Sequence, residues 1–224
     1  MSFSTFVGVS AAVNRMNLTY AALDSDCRLL AVGDGSVVDV LSFAAGQSAA
    51  ILAISAPARN KAAAAVLTAH TQLPLDLSGE THPAPPTGSP AALRHCFSLV
   101  SQLSGMGYRP FPDETAPRQW LETQSEAGFT ALLGHEPLPP DTLEGRIQRQ
   151  FVLEDLKLDV PNGMLFFEEV TRFKILRSQL PMNYVLPQGE LEAWLAAFCA
   201  WQAAQAGEAA PNPGGILLPS PRQD

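Results

Sequence analysis

Apolar residues in the first part of the chain form short runs or alternate with polar ones, a pattern that predicts β-strands. Residues 4–13 and 17–23 flank a polar turn at 14–16, and residues 27–33 follow a second polar turn. Runs of this length, bounded by turn residues, are typical of strands joined as hairpins. We therefore expect three consecutive antiparallel strands, which form a meander.

The pattern then changes from strand to helix and back again. Residues 39–45 have apolar positions at helical spacing, and residues 50–54 form a continuous apolar run that suits a strand buried on both faces. Residues 60–70 are rich in strong helix formers, whereas residues 73–90 are rich in proline and predict a long surface loop. A strand that follows a helix indicates a crossover into the same sheet.

Helical spacing dominates the second half of the chain. We expect helices at 90–103, 125–133, 141–156, about 164–179 and 189–206, and strands at 118–124 and 214–218. Ser125 and Asp141 are expected to cap the helices that they begin, Asp141 in a capping box with Glu144, and Gly134 is expected to end the helix at 125–133.

The order of these elements predicts an α/β fold for one domain that spans residues 1–224. Its central sheet should be mixed, with the antiparallel meander joined to parallel strands and flanked by helices. A chain with 46% hydrophobic and 16% charged residues has the composition of a globular protein.

Charge, cysteine content and hydropathy narrow the possible functions. A formal net charge of -8, from 14 Lys and Arg against 22 Asp and Glu, argues against a general affinity for nucleic acid, although a local basic strip is possible. Cys27, Cys96 and Cys199 lack metal-ligand spacing and fit a reducing compartment. No secretory leader and no apolar run of about 18 residues is present, so we expect a cytoplasmic protein without a membrane segment.

Six short phrases fall in a fixed order along the chain. They are Gly8-Val9-Ser10, Ile54-Ser55-Ala56-Pro57, Glu122 in LETQSEAGF, Gly145-Arg146 with Arg149, the helix start from Gly189 to Ala193, and GGILLP at 214–219. In this order they resemble the predicted nucleases of the ribonuclease H-like superfamily, specifically the bacterial and archaeal domain of unknown function 429. The resemblance implies a ribonuclease H-like fold.

The resemblance also implies a site, in which two residues depart from the family pattern. That pattern has Gly-x-Asp and Ile-Asp-Ala-Pro, so Ser10 and Ser55 stand where the family has aspartates. Glu122 matches a family glutamate in a strand, and Glu190 and Glu192 align with a helix that opens Asp-Asp-x-Asp-Ala. The implied site residues are therefore these two serines and three glutamates, with Glu122 and Glu190 as candidate metal ligands.

Two hypotheses about function follow from these departures. Nucleases of this superfamily use one or two Mg²⁺ or Mn²⁺ ions held by clustered carboxylates, and a neutral hydroxyl is a poor substitute for a carboxylate. The favoured hypothesis is a catalytically silent module that binds a partner protein or nucleic acid. The alternative is a metal-dependent nuclease or phosphodiester hydrolase, in which the glutamates hold one Mg²⁺ or Mn²⁺ ion and the serines coordinate through hydroxyls or water.

Two further groups of residues are candidates for binding. Arg146 and Arg149 either contact phosphate in a nucleic acid or form surface ion pairs. Trp194, Phe198 and Trp201 recur at helical spacing on the last long helix. They form either part of the core or an interface stripe, through which the chain would associate with a second copy.

Overall fold

The structure is a computed structural model, and it describes residues 3–10, 17–55, 90–206 and 216–220. The turn predicted at 14–16, the helix predicted at 60–70 and nearly all of the loop predicted at 73–90 lie outside the described residues.

The strands of the described chain form one mixed sheet. Their bounds are β1 Thr5–Ser10, β2 Leu18–Leu23, β3 Leu29–Gly35, β4 Ala50–Ser55, β5 Arg109–Pro110, β6 Arg118–Thr123 and β7 Ile216–Leu217. The strand order is β3-β2-β1-β4-β6-β5, and β7 also pairs with β6. The first three strands are antiparallel, whereas β4 is parallel to β1 and β6 is parallel to β4, β5 and β7. The predicted α/β class and mixed sheet are confirmed.

Helices lie on both faces of this sheet. Their bounds are α1 Val37–Ala45, α2 Pro90–Gly105, α3 Ser125–Leu133, α4 Leu143–Asp155, α5 Met164–Glu169, α6 Arg172–Leu176 and α7 Gln188–Ala206, with a 3₁₀ turn at Met182–Tyr184. Buried residues of α7 and α4 share a core with one face of β1 and β4, while α1 and α2 contribute to the core on the opposite face.

Helix α7 packs very closely against β1, because small residues meet at the contact. A Cβ atom placed on Gly8 would lie 2.0 Å from the carbonyl oxygen of Ala193 and 2.2 Å from the amide nitrogen of Ala197. No side chain can replace the glycine hydrogen at such distances. The glycine of the Gly8-Val9-Ser10 phrase therefore fixes how near the helix lies to the strand.

Several predicted boundaries were wrong, and three of them have a clear local reason. The helix predicted at 164–179 is two short helices, because Val170 is extended and Thr171 begins α6 by accepting a hydrogen bond from the amide of Lys174. Thr142, not Asp141, caps α4, since its hydroxyl accepts from the amide of Gly145. The strand predicted from residue 27 begins at 29, because Cys27 has a positive φ of 63° in the preceding turn.

Candidate functional site

A row of hydroxyl side chains crosses the sheet at the carboxyl ends of its parallel strands. Ser10 ends β1, and its register partner on β4 is Ser55, which in turn pairs with Thr123 at the end of β6. On the antiparallel side, Ser10 is opposite Thr19 of β2. Residues in register on neighbouring strands project to the same face of a sheet, so the structure brings Ser10 and Ser55 side by side.

These side chains project toward α7, as the neighbouring residues show. Phe6 and Gly8 precede Ser10 on the same face and contact or approach the helix, and Ile51 and Ala53 precede Ser55 in the core that contains α7. The hydroxyl of Thr123 lies 3.5 Å from the sulfur of Cys199 on α7. The hydroxyl row therefore lies under α7.

Hydrogen bonds join the two predicted serines to side chains of α7 and α3. We call the group that they form the serine–glutamate cluster, and its members are Ser10, Ser55, Ser125, Gln188 and Glu192. Oγ of Ser10 donates to Oε2 of Glu192 at 2.6 Å, and Nε2 of Gln188 donates to Oε1 of the same carboxyl at 2.8 Å. The hydroxyls of Ser55 and Ser125 are 2.6 Å apart, and Oγ of Ser125 donates to the backbone carbonyl of Glu192 at 3.4 Å.

The carboxyl of Glu192 is buried, with only 4% of the residue exposed. Burial raises the pKa of Glu192, because removing a carboxylate from water disfavours its charged form. The hydrogen bonds from Ser10 and Gln188 oppose this effect, since they favour the ionised form. Burial is the larger influence, so the cluster holds a carboxyl that takes up a proton more readily than an exposed glutamate.

Glu190 lies in the first turn of α7 but outside the hydrogen bonds that define the cluster. Its pKa is also raised, first by partial burial and then by the negative charge of Asp34 on the edge strand β3. Asp34 accepts a 2.5 Å hydrogen bond from the hydroxyl of Thr19. Glu190 thus belongs to an acidic region on the β2–β3 side of the sheet.

Glu122 lies on the other face of the sheet. Its neighbours Leu121 and Thr123 face α7, whereas Trp120 packs into the core on the α1 and α2 side. Because side chains alternate along a strand, Glu122 projects to the same side as Trp120. The structure therefore separates Glu122 from the serines with which the sequence grouped it.

This arrangement does not provide the carboxylates of a divalent metal site. Within the described residues, no group of three or more His, Cys, Asp or Glu side chains could hold a metal ion. The serine–glutamate cluster offers one carboxyl, whose oxygens already accept hydrogen bonds from Ser10 and Gln188. Mg²⁺ and Mn²⁺ need ionised oxygen ligands, so this donor set does not fit them.

The two arginines of the Gly145-Arg146 phrase form bonds inside the protein. Arg146 donates to the backbone carbonyls of Val185 and Leu186. The side chain of Arg149 is fully buried, donates to the carbonyls of Leu138 and Gly145, and lies 2.6 Å from a carboxylate oxygen of Glu126.

A surface ion pair is therefore a wrong description of Arg149, and a buried guanidinium does not reach a nucleic acid. The glycine of the phrase is structural as well, since a Cβ on Gly145 would lie 1.9 Å from the carbonyl oxygen of Pro139.

The aromatic residues of the last helix belong to the core. Trp194 and Phe198 are 2% and 0% exposed, and the indole nitrogen of Trp201 donates to the backbone carbonyl of Ser25 at 2.9 Å. The core alternative is confirmed for Trp194 and Phe198, whose side chains are buried within the chain, and Trp201 is partly buried against the same core.

Sequence reasoning missed Ser125 and Gln188 as members of the site. Ser125 was expected to cap α3, but Gln124 precedes that helix and Ser125 lies within its first turn. One signal was available, since Ser125 follows β6 closely at the edge where Ser10 and Ser55 end their strands. Gln188 stands four residues before Glu192, a spacing that places two side chains on one face of a helix.

Comparisons of the chain with family models, with curated proteins and with solved structures found no match. Among the helices that the structure describes, none combines the length and apolar character needed to span a bilayer.

Proposed function

We propose that this chain is a catalytically silent member of the ribonuclease H-like nucleases, and that it acts as a binding module. Support for the fold comes from the antiparallel meander, which continues into the parallel strands β4 and β6. That arrangement is what the sequence resemblance implies. Fold alone does not determine activity, so the argument for silence depends on the site.

One observation carries the proposal. The hydroxyls of Ser10 and Ser55 occupy adjacent register positions where the family pattern has aspartates, and both are bonded within the protein, to Glu192 and Ser125. A nuclease site would need ionised carboxylates directed at metal ions and substrate oxygens. Here the pair of strand ends is neutral and buried, at 2% and 5% exposure.

A nuclease assay with Mg²⁺ or Mn²⁺ on single-stranded DNA, RNA and a hybrid duplex tests this proposal. The wild-type protein should release no product, and calorimetry should detect no tight binding of either ion. Cleavage that is lost in Glu192→Gln or Glu122→Gln, but kept in the exposed-site control Glu136→Gln, would establish an enzyme and overturn the proposal. Cleavage by the double variant Ser10→Asp, Ser55→Asp alone would show that the two serines suppress the chemistry.

A further inference from the structure

Residues 171–180, which we call the basic–apolar segment, expose large apolar side chains to solvent. Leu176 is 74% exposed, Phe173 60% and Ile175 53%, and only Lys174 of the ten residues is partly buried. Helix α6 in this segment is five residues long and contributes no side chain to the buried core. Exposed apolar side chains grouped among polar ones are typical of interaction sites.

The same segment concentrates positive charge on an acidic protein. Arg172, Lys174 and Arg177 are three of the chain's 14 Lys and Arg residues, and no acidic residue lies among positions 171–180. Lys174 pairs with Glu169 at 2.5 Å. Arg172 and Arg177 form no ion pair with a carboxylate of the described residues, so two cations are available to a ligand.

Arg177 stacks on an aromatic ring. Its guanidinium lies 4.1 Å from the centroid of the Phe173 ring, one helical turn earlier. A guanidinium stacked in this way keeps its donors free to bind a carboxylate through two parallel hydrogen bonds. The contact therefore places a carboxylate-binding group directly beside the exposed apolar side chains.

We propose that the basic–apolar segment is the docking site for an acidic, amphipathic segment of a partner protein. The partner's carboxylates would bind Arg172 and Arg177, and its apolar side chains would cover Phe173, Ile175 and Leu176. Charge complementarity selects this occupant, because a chain of net charge -8 offers few other surfaces that attract an acidic ligand. The inference does not depend on the proposed function, since it concerns residues outside the serine–glutamate cluster.

Two other occupants fit the segment less well. A two-fold symmetric dimer through this surface would bring the same cations of both copies together, and their repulsion disfavours it. An anionic membrane would attract the arginines, but its extended surface would also meet Glu168 and Glu169, which lie shortly before the segment in a strongly acidic chain. A short acidic peptide bound along residues 172–177 does not form a symmetric pair of cations, and it need not extend over these two glutamates.

Fluorescence anisotropy with a labelled synthetic peptide tests the proposal. The probe is a helical peptide about four turns long, with Leu on one face and Glu on the other. Two control peptides replace every Glu by Lys or every Leu by Ser. We expect saturable binding of the acidic amphipathic peptide, weakened about tenfold or more in each control peptide, since both charge and apolar contact contribute.

Protein variants locate the binding on the surface. Leu176→Ser and the pair Arg172→Gln, Arg177→Gln should each weaken peptide binding about tenfold, and raised salt should weaken it further. The controls Val38→Ser and Arg28→Gln make similar changes, apolar to Ser and Arg to Gln, at exposed positions elsewhere and should leave binding unchanged. All these positions are exposed, so circular dichroism should show an intact fold in every variant.

Several results would overturn the proposal. They are the absence of saturable binding, equal binding of the Lys peptide, or binding that the Leu176→Ser variant retains in full. If sedimentation velocity showed a dimer, and Leu176→Ser abolished it, the surface would be assigned to a second copy of the chain. The protein could also pellet with phosphatidylserine vesicles but not with phosphatidylcholine vesicles. If Leu176→Ser abolished this pelleting, the surface would be assigned to a membrane.

Discussion

Oγ of Ser10 donates a 2.6 Å hydrogen bond to Oε2 of Glu192, and so joins the end of β1 to the second turn of α7 across 182 positions of sequence. Both residues are almost fully buried. In the family pattern that the sequence resembles, residue 10 would be an aspartate, whose carboxylate would lie directly beside this glutamate. Serine instead supplies a donor, so the buried carboxyl has a hydrogen-bond partner in place of a second negative charge.

Glu192→Gln should stabilise the protein at alkaline pH. The pKa of Glu192 is raised in the folded state, so ionisation of this carboxyl costs folding stability. This cost is absent at a pH below the pKa of the residue in the unfolded chain, and it is fully present at a pH above its pKa in the folded protein. Wild-type stability should therefore fall as pH rises through this window, and the uncharged glutamine should not show that part of the fall. Thermal unfolding at about pH 4 and about pH 8 measures the difference, with about 2–4 °C expected for each kcal/mol.

The control for this experiment is Glu136→Gln, which removes the same charge from an exposed loop residue. Its melting temperature should follow the wild-type pH profile closely. If the melting temperature of Glu192→Gln depended on pH as that of the wild type does, or if the variant were stabilised equally at both pH values, ionisation of Glu192 would not destabilise the folded protein.

Ser10→Asp should destabilise the protein in the absence of metal, and more at pH 8 than at pH 5. The substitution puts a second carboxyl into a site that is 2% exposed and adjacent to Glu192, where two like charges raise the cost of ionisation. Ser10→Asn, of similar size but uncharged, separates the effect of charge from that of volume.

The double variant Ser10→Asp, Ser55→Asp extends the test to metal binding. Added Mn²⁺ should raise its melting temperature, because a cation that binds only the folded state stabilises it by mass action. The wild-type and Ser10→Asn proteins should show no such rise. An equal rise in all three would mean that the metal binds elsewhere on the chain.

Gly8→Ala should destabilise the protein severely, by about 3 kcal/mol or more, because its methyl group would overlap backbone atoms of Ala193 and Ala197. The matched control is Gly105→Ala at the exposed end of α2, where an added Cβ meets no atom within 4 Å. Urea unfolding measures both. A loss below 1 kcal/mol in Gly8→Ala would show that α7 can move away from β1 at little cost.

Local signals in the sequence were sufficient for the elements that have a strong apolar pattern. The run at residues 50–54 and the meander strands are visible because they are short, apolar and bounded by turn residues. The break at Val170 could not be foreseen, because the apolar spacing of α5 and α6 continues through it while tertiary packing determines where the helix ends.

The candidate site was also predictable in part and not in full. Ser10 and Ser55 each end a strand that sequence reasoning located, so their proximity follows from the parallel pairing of β1 and β4. Glu122 was grouped with them because it matches a glutamate that the resembled family has in a strand, but a shift of one residue along a strand moves a side chain to the opposite face. The strand that contains Glu122 was predicted correctly, but the face on which Glu122 lies depends on its register, which the sequence does not show.

The three cysteines should not react with a thiol reagent in the native protein. Cys27, Cys96 and Cys199 are all buried and unbridged, and burial raises the pKa of the Cys199 thiol to about 12. Thiolate is the reactive form, so an inaccessible thiol with a raised pKa reacts slowly. Ellman's reagent should detect no thiol at pH 8 until urea unfolds the chain, and then all three. Rapid labelling in the native state would reveal local opening of the core.

Removing Arg149 should cost far more stability than removing the charge of its partner Glu126. Arg149 is fully buried and bonds two backbone carbonyls as well as the carboxylate, whereas the side chain of Glu126 is 51% exposed. Arg149→Ala would leave those carbonyls without their donor and a cavity beside Phe129, on whose ring the guanidinium lies. Loss of one member of a buried polar network typically costs about 3–5 kcal/mol. Glu126→Gln keeps an acceptor in place and should cost about 1 kcal/mol or less, since water screens the exposed carboxylate.

Arg149→Lys distinguishes the geometry of the guanidinium from its charge. Lysine keeps the positive charge but cannot form the same set of directed hydrogen bonds, so it should recover less than half of the loss. Urea unfolding of the three variants, fitted with one common slope for the dependence of the free energy on urea concentration, gives the free energies of unfolding. If Arg149→Ala and Glu126→Gln were equally destabilised, the ion pair itself would dominate, and the Arg149 side chain would act at the surface through charge. The buried bonds to Leu138 and Gly145 require the opposite result.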